Sequence, residues 1–458
     1  MSKRNFILLI IILVIAIVGA FAFIFSRPTG TTPTNGQTGT NFFSQFNPFG
    51  NPKPTTTTTT PPPTDISGDQ TNPTDNTVAP KLVKISSMPI AGFTIFSQER
   101  LKEVPIPVTA TTDTTTNTST DTTNISAPAK TTKTTTKPTP PPIEIAEALR
   151  YVARTTGNVY ETFADKIDEK QFSTTVIPKV YDAYFGNNGQ SVIMRYLKGT
   201  STTITTFIGN LPKEVLGADT TSTNEIVGTF LPDDVKDISV SPDKSKAFYV
   251  FTTADSMVGT TVNFADSKKV QIFSSPFTEW LTSWSGSTGF LLSTKPSGGI
   301  LGYTYKVDSA SKGLIKVLGG TNGLTALGSP DGKSILYGDS SLSLYIYNLS
   351  TKNSTLLGVR TMPEKCVWGK ASDILYCAVP KSLDAGLYPD AWYQGTTSFN
   401  DQIWKIDVTT ENTTMILNPV TVSGGEEIDG TKLAIDDAQN YLFFVNKKDS
   451  FLWEFNLR

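Results

Sequence analysis

Residues 329–357 read Ser329-Pro-Asp-Gly-Lys-Ser-Ile-Leu-Tyr-Gly-Asp-Ser-Ser-Leu-Ser-Leu-Tyr-Ile-Tyr-Asn-Leu-Ser-Thr-Lys-Asn-Ser-Thr-Leu-Leu357. Pro330 fixes its own φ, and Asp331-Gly332 is a tight-turn dipeptide whose glycine accepts positive φ without a Cβ clash. Ile335, Leu336 and Tyr337 then form a short strand, and residues 338–341 turn the chain again. Leu344 and Ile346 alternate with Tyr345 and Tyr347 as far as Leu349, which is the period of a sheet and not of a helix. A third turn at 350–353 leads into a strand at 355–357.

Strand, turn, strand, turn, strand is an antiparallel meander, and the chain repeats it. Matching units start near Asp237, Leu281, Leu324 and Pro363, at roughly the 40–45-residue spacing of propeller blades. Ser241-Pro242-Asp243-Lys244 repeats the turn at 329–333, and Trp284-Ser285-Gly286 and Trp368-Gly369-Lys370 hold the same place. The third strands match best, at 302–308, 344–349, 403–408 and 451–457. Two earlier units are built on 180–208 with 225–230, and on 88–96 with 148–175. The expected fold is all-β, a seven-bladed β-propeller, with six and eight as the neighbouring counts. The last unit has only three strands before the chain stops, and residues 81–86, with Val83 and Ile85 alternating, are expected to supply the fourth.

The Ser-Pro-Asp-Gly-Lys turn at 329–333, with Leu-Tyr-Ile-Tyr-Asn-Leu at 344–349, resembles the repeat of TolB-like propellers, relatives of WD-repeat propellers found in exported bacterial proteins. The strong match covers one repeat, with about four partial ones. It implies a propeller and a tendency toward protein binding, and nothing catalytic.

Composition narrows the chemistry. The chain has no histidine, which removes Ser-His-Asp and Cys-His sites and the commonest metal ligand. Lys+Arg 39 against Asp+Glu 41 leaves no basic footprint for nucleic acid. No phosphate-binding glycine loop occurs, and no metal or cofactor is expected.

Lys3 and Arg4 precede an unbroken apolar run at 6–25, long enough to cross a bilayer as a helix. It predicts a single-pass anchor within 1–27, with the N-terminus cytoplasmic and the body on the extracytoplasmic side of a cell membrane. A cleaved signal peptide ending near Ala20-Phe21-Ala22 is the competing reading. Residues 28–80, rich in Thr and Pro, read as a disordered stalk, and residues 109–142 as a disordered insertion within the 81–458 propeller.

Cys366 and Cys377 flank a turn at Ala371-Ser372, and pairing Lys370 with Asp373 would set the two cysteines opposite one another. A disulfide is expected there, against the alternative of two buried thiols. Three stretches, 253–268, 380–400 and 418–430, fall where second-to-third-strand loops and blade connections share one face. The middle one carries Asp384, Tyr388, Asp390, Trp392 and Tyr393 as candidate partner contacts, against the plainer reading of a lid whose aromatics cover the blade tops. Gly424-Gly425-Glu426-Glu427 with Asp429 reads as a solvated acidic turn and not as a calcium loop. The function expected is a non-catalytic platform for a protein or a cell-surface polymer. The alternatives are a carbohydrate-active lyase or hydrolase using paired carboxylates, and a structural envelope component.

Overall fold

The computed structural model describes residues 81–102, 142–199, 203–213, 224–287, 289–308 and 311–458. The anchor, the stalk and all of the 109–142 insertion except Pro142 lie outside the described residues. Among the described residues, no helix is long and apolar enough to cross a membrane.

The described chain forms seven four-stranded antiparallel sheets. They follow one another as 90–171, 180–230, 235–275, 280–322, 325–360, 366–417 and 430–456, the last completed by Leu82–Lys84. This is a seven-bladed propeller.

Each blade packs both of its faces against neighbours. The second strands therefore read as unbroken apolar runs, such as Val192-Ile193-Met194 and Leu442-Phe443-Phe444, all fully buried. Leu149 and Tyr151 of the first blade pack with Phe443 and Leu452 of the seventh. Val152 and Val159 of the first pack with Val192 and Met194 of the second.

The 329–333 turn forms as its residues demand. Gly332 has φ +71°, Ser329 Oγ donates to Asp331 Oδ1 at 2.6 Å, and the Lys333 amide donates to the same oxygen at 3.1 Å. In the third blade Lys244 occupies glycine's place at φ +55°. Its ammonium reaches the first blade and donates to the Ile95 carbonyl at 2.7 Å.

These first-to-second-strand turns interlock into a collar at one end of the ring. The Asn187 amide donates to the Lys244 carbonyl (2.8 Å), the Gly286 amide to that of Ser329 (3.2 Å), and the Asp331 amide to Ser372 Oγ (3.2 Å). Lys370 pairs with Asp437 at 2.6 Å.

The ring closes as expected. Leu82, Val83 and Lys84 pair with Phe455, Glu454 and Trp453, and Leu82 is buried among the Trp453 and Phe455 side chains. Closure buries Glu454, whose Oε2 has no hydrogen-bond partner. Burial, helped by the charges of Asp165 and Asp436, pushes its carboxyl up to about 8. A carboxyl raised on folding contributes stability below its unfolded pKa, and that contribution is lost as pH rises through the folded value. Glu454→Gln is therefore expected to stabilise the protein on the order of 2 kcal/mol at pH 9 and to change little at pH 4.5. Urea titrations at the two pH values check this; equal effects at both would refute it.

Two expectations need correction. Residues 253–268 are not a long loop, because the third strand Met257–Asn263 runs through them. The first hairpin continues past Phe96, with Ile90–Leu101 paired to Ile143–Ala153 and the Lys102 amide donating to the Pro142 carbonyl at 2.8 Å. The insertion thus starts from the tip of a paired arm, held where Arg100 bonds both Glu144 and Asp165.

Cys366 and Cys377 are directly opposed, with Cα atoms 4.1 Å apart, and form the disulfide. Denatured but unreduced protein should show no reactive thiol, and two after reduction; free thiol before reduction would contradict the bond.

Candidate functional site

The end of the ring opposite the collar carries the long loop 380–400, between strands Ile374–Pro380 and Asp401–Asp407 of the sixth blade. A one-turn helix, Asp390–Tyr393, lies within it. Trp392 and Tyr388 are each only 5% exposed, packed with Leu342, Met362 and Phe399. They do not form an open aromatic patch, since both side chains are buried under the loop that carries them. Aromatic rings set over Leu342 and Met362 gain more from packing inward than from solvent. Asp384 is exposed, and its carbonyl accepts from the Tyr388 hydroxyl at 2.9 Å. Asp390 accepts from the Gly298 amide at 2.7 Å, which ties the loop to the fourth blade. Tyr393 is 39% exposed with its hydroxyl on Glu364. Burial and that carboxylate push the Tyr393 phenol well above its ordinary value. Lys447 of the seventh blade donates to the Trp392 carbonyl at 2.5 Å. The loop is a strap crossing from the sixth blade to the fourth and pinned by the seventh.

The strap sits on an ionic seat that sequence reading missed. Lys365, at the end of the 3-10 turn Pro363–Lys365, is fully buried. Its ammonium donates to Asp429 Oδ1 (2.5 Å) and the Gly430 carbonyl (2.9 Å), and pairs with Asp401 Oδ2 (2.7 Å). It also lies 5.2 Å and 5.3 Å from the Trp392 and Phe399 ring centres. Asp429 additionally accepts from Trp392 Nε1 (3.0 Å), Ser398 Oγ (3.1 Å) and the Phe399 amide (3.0 Å). Burial opposes its charge, but Lys365 and these donors hold its carboxyl below the usual range. The acidic turn is thus only partly solvated. Glu426 and Glu427 pair at the surface with Lys84 and Lys448, whereas Asp429 is a buried anchor. The one signal in the sequence was a lysine set between Met362 and Cys366-Val367-Trp368.

A second polar network runs from the seventh blade through the first, second and third to the fourth. The inner strands of the first, second, third and seventh blades each carry a register shift near their start, at 90/92, 180/182, 235/237 and 431/434. Such bulges re-aim side chains. Lys432, at φ +51°, pairs with Asp182 of the second blade and donates to the Ala91 carbonyl of the first at 2.7 Å. Asp182 also accepts from Tyr184 (2.6 Å) and Arg195 (3.2 Å). Arg195 continues to the Val235 carbonyl of the third blade at 2.7 Å. Asp237 there accepts from the amide and hydroxyl of Thr282 in the fourth, at 2.6 Å and 3.0 Å. Burial opposes ionisation of Asp182, but Lys432 and Arg195 hold it below the usual carboxylate range. Burial pushes Asp237 up to about 6. Two carboxyl groups of unequal acidity on adjacent blades are the raw material of acid–base chemistry, yet both are already committed to contacts between blades.

Exposed apolar side chains occur singly on several outer strands, such as Val270 and Leu356. On the strap face Ile300 (66% exposed) and Leu387 (54%) come from loops that touch, since Leu387 lies against Gly298.

No protein-family model matches the chain, and no curated protein does. Among solved structures it is similar to a functionally unknown protein from Desulfotomaculum acetoxidans DSM 771, at 13% identity and TM-score 0.40, covering 68% of this chain and 89% of that one. It is also similar to TolB from Acinetobacter baumannii, at 11% identity and TM-score 0.38, covering 68% and 76%. The seven sheets themselves establish the fold, which resembles TolB-like propellers, and a fold assigns no activity.

Proposed function

We propose that this chain is a non-catalytic binding propeller that presents its strap face to a protein partner, tethered by residues 6–25 through the 28–80 stalk on the extracytoplasmic side of a membrane. The observation that carries the reading is the strap itself. It is held from beneath by Asp429, by Glu364 and, through Asp390, by the Gly298 amide, and it carries the exposed side chains of Leu387, Tyr393 and Asp384, with Leu387 against the loop that holds Ile300. Both Thr-rich segments join the propeller at the collar end, where the Asn456 amide donates to the Lys81 carbonyl and the Lys102 amide to the Pro142 carbonyl. A disulfide supports an exported location, and the basic residues before the apolar run support the orientation of the anchor.

A photo-crosslinking side chain placed at Leu387 or Ile300 in the full chain, in its own cells, is expected to yield a discrete protein adduct. The same probe at Leu356 or Val270 on outer strands is expected to yield none. The reverse pattern would move the binding surface to the rim, and adducts with polymer alone would replace the protein partner by a cell-surface polymer.

A second reading is a carbohydrate-active lyase or hydrolase, favoured by the unequal acidity of Asp182 and Asp237. Turnover of a polysaccharide that Asp237→Asn abolishes would establish it.

A further inference from the structure

The seat of the strap contains one ammonium between two carboxylates, all fully buried. Asp429 bonds directly to the strap through Trp392, Ser398 and Phe399. Asp401 does not. Its Oδ2 accepts from Lys365 and from the Gly430 amide (2.6 Å), while its Oδ1 is buried with no partner. An unpaired buried carboxylate oxygen is costly while it carries charge and far less so when protonated.

We propose that the strap is a pH-dependent cover, closed when Asp401 is protonated and loosened when Asp401 ionises. With the proton in place, Lys365 and Asp429 form a neutral pair beneath Trp392 and Phe399. Without it a second negative charge sits beside Asp429 against aromatic walls. Opening the strap admits water to that charge, so ionisation favours the open form.

Charged groups from several elements surround Asp401, among them Glu364 of the 3-10 turn, which accepts from the strap's Tyr393 and whose carboxyl burial pushes up, and Lys448, which donates to Asn400. The 3-10 turn supplies Lys365, the connection into the seventh blade supplies Asp429, and the inner strand of that blade supplies the Gly430 amide. Beyond Trp392 lies Lys447, 4.3 Å from the ring centre. Burial lowers the pKa of Lys447, with Asp429 opposing that shift and Lys365 adding to it. Burial likewise raises Asp401 to about 6 against the pull of Lys365, with the charge on Asp429 adding to the rise. A carboxyl raised in the closed form favours closure below its open-form value, and that preference is lost as pH rises through about 6.

Hydrogen–deuterium exchange of the full chain at pH 5 and pH 8, corrected for intrinsic rates, tests this. Amide protection across 381–399 is expected to fall about tenfold at pH 8, while that of the core strand Tyr441–Asn446 stays unchanged. Asp401→Asn, which keeps the shape and removes the titration, is expected to hold the strap's protection constant between the two pH values. Strap protection independent of pH in the native chain overturns the proposal, and so does a pH effect that survives Asp401→Asn. The native comparison stands even if the variant folds poorly.

Discussion

Asp429→Ala should lower the unfolding free energy by about 3–5 kcal/mol, the usual result of breaking a buried ion pair from one side. The carboxylate serves one buried ammonium and three donors of the strap. Its removal leaves Lys365 with Asp401 and the Gly430 carbonyl and leaves the Trp392 indole, the Ser398 hydroxyl and the Phe399 amide without that acceptor. The loss should be accompanied by rapid proteolytic nicking between residues 381 and 399 at pH 5, at enzyme concentrations that leave the same loop of the native chain intact. Denaturant titration with limited proteolysis reads both. A loss below about 1 kcal/mol, outside the range for buried pairs, would mean that the seat is solvated.

Opening the ring should be nearly as damaging. Val83 sits opposite Glu454, between the flanking bonds from the Ile85 amide to the Leu452 carbonyl and from the Asn456 amide to the Lys81 carbonyl. Alternation along an antiparallel pair makes Val83 a hydrogen-bonding position, so Val83→Pro removes a ladder donor and forces the ring against the partner strand. Lifting the strand would also expose Leu82, a buried aliphatic worth about 2–5 kcal/mol when truncated. The expected result is a destabilisation of about 3 kcal/mol or more, together with concentration-dependent association through the freed edge at Leu452–Asn456. Sedimentation analysis of the variant checks the second effect. A monomer of native stability would show that the seventh blade holds with three strands.

How far the residues themselves carried the reading differs between fold and site. The turn at 329–333 fixes a hairpin from local chemistry: a proline, an aspartate that caps the turn amides and a glycine at positive φ. Repetition of that unit was enough to count blades, to assign residues 81–86 to the open seventh one, and to set Cys366 opposite Cys377. These are questions of register, and register follows from turn length and side-chain alternation, both local in the chain.

The site obeyed a different logic. Trp392 and Tyr388 look like contact residues in a long loop, but whether a loop aromatic points outward depends on what lies underneath. Here that is Met362 and Leu342 from other parts of the ring. Lys365 and Asp429 are 64 positions apart, and Lys432 and Asp182 are 250 apart. No periodicity joins such pairs, because they meet only once blades far apart in the chain are set side by side around the axis. Composition, turn chemistry and strand alternation thus suffice for the blades and their order. Burial and the pairing of charges across the ring follow from closure, since desolvation is a property of the assembled neighbourhood and not of any one segment.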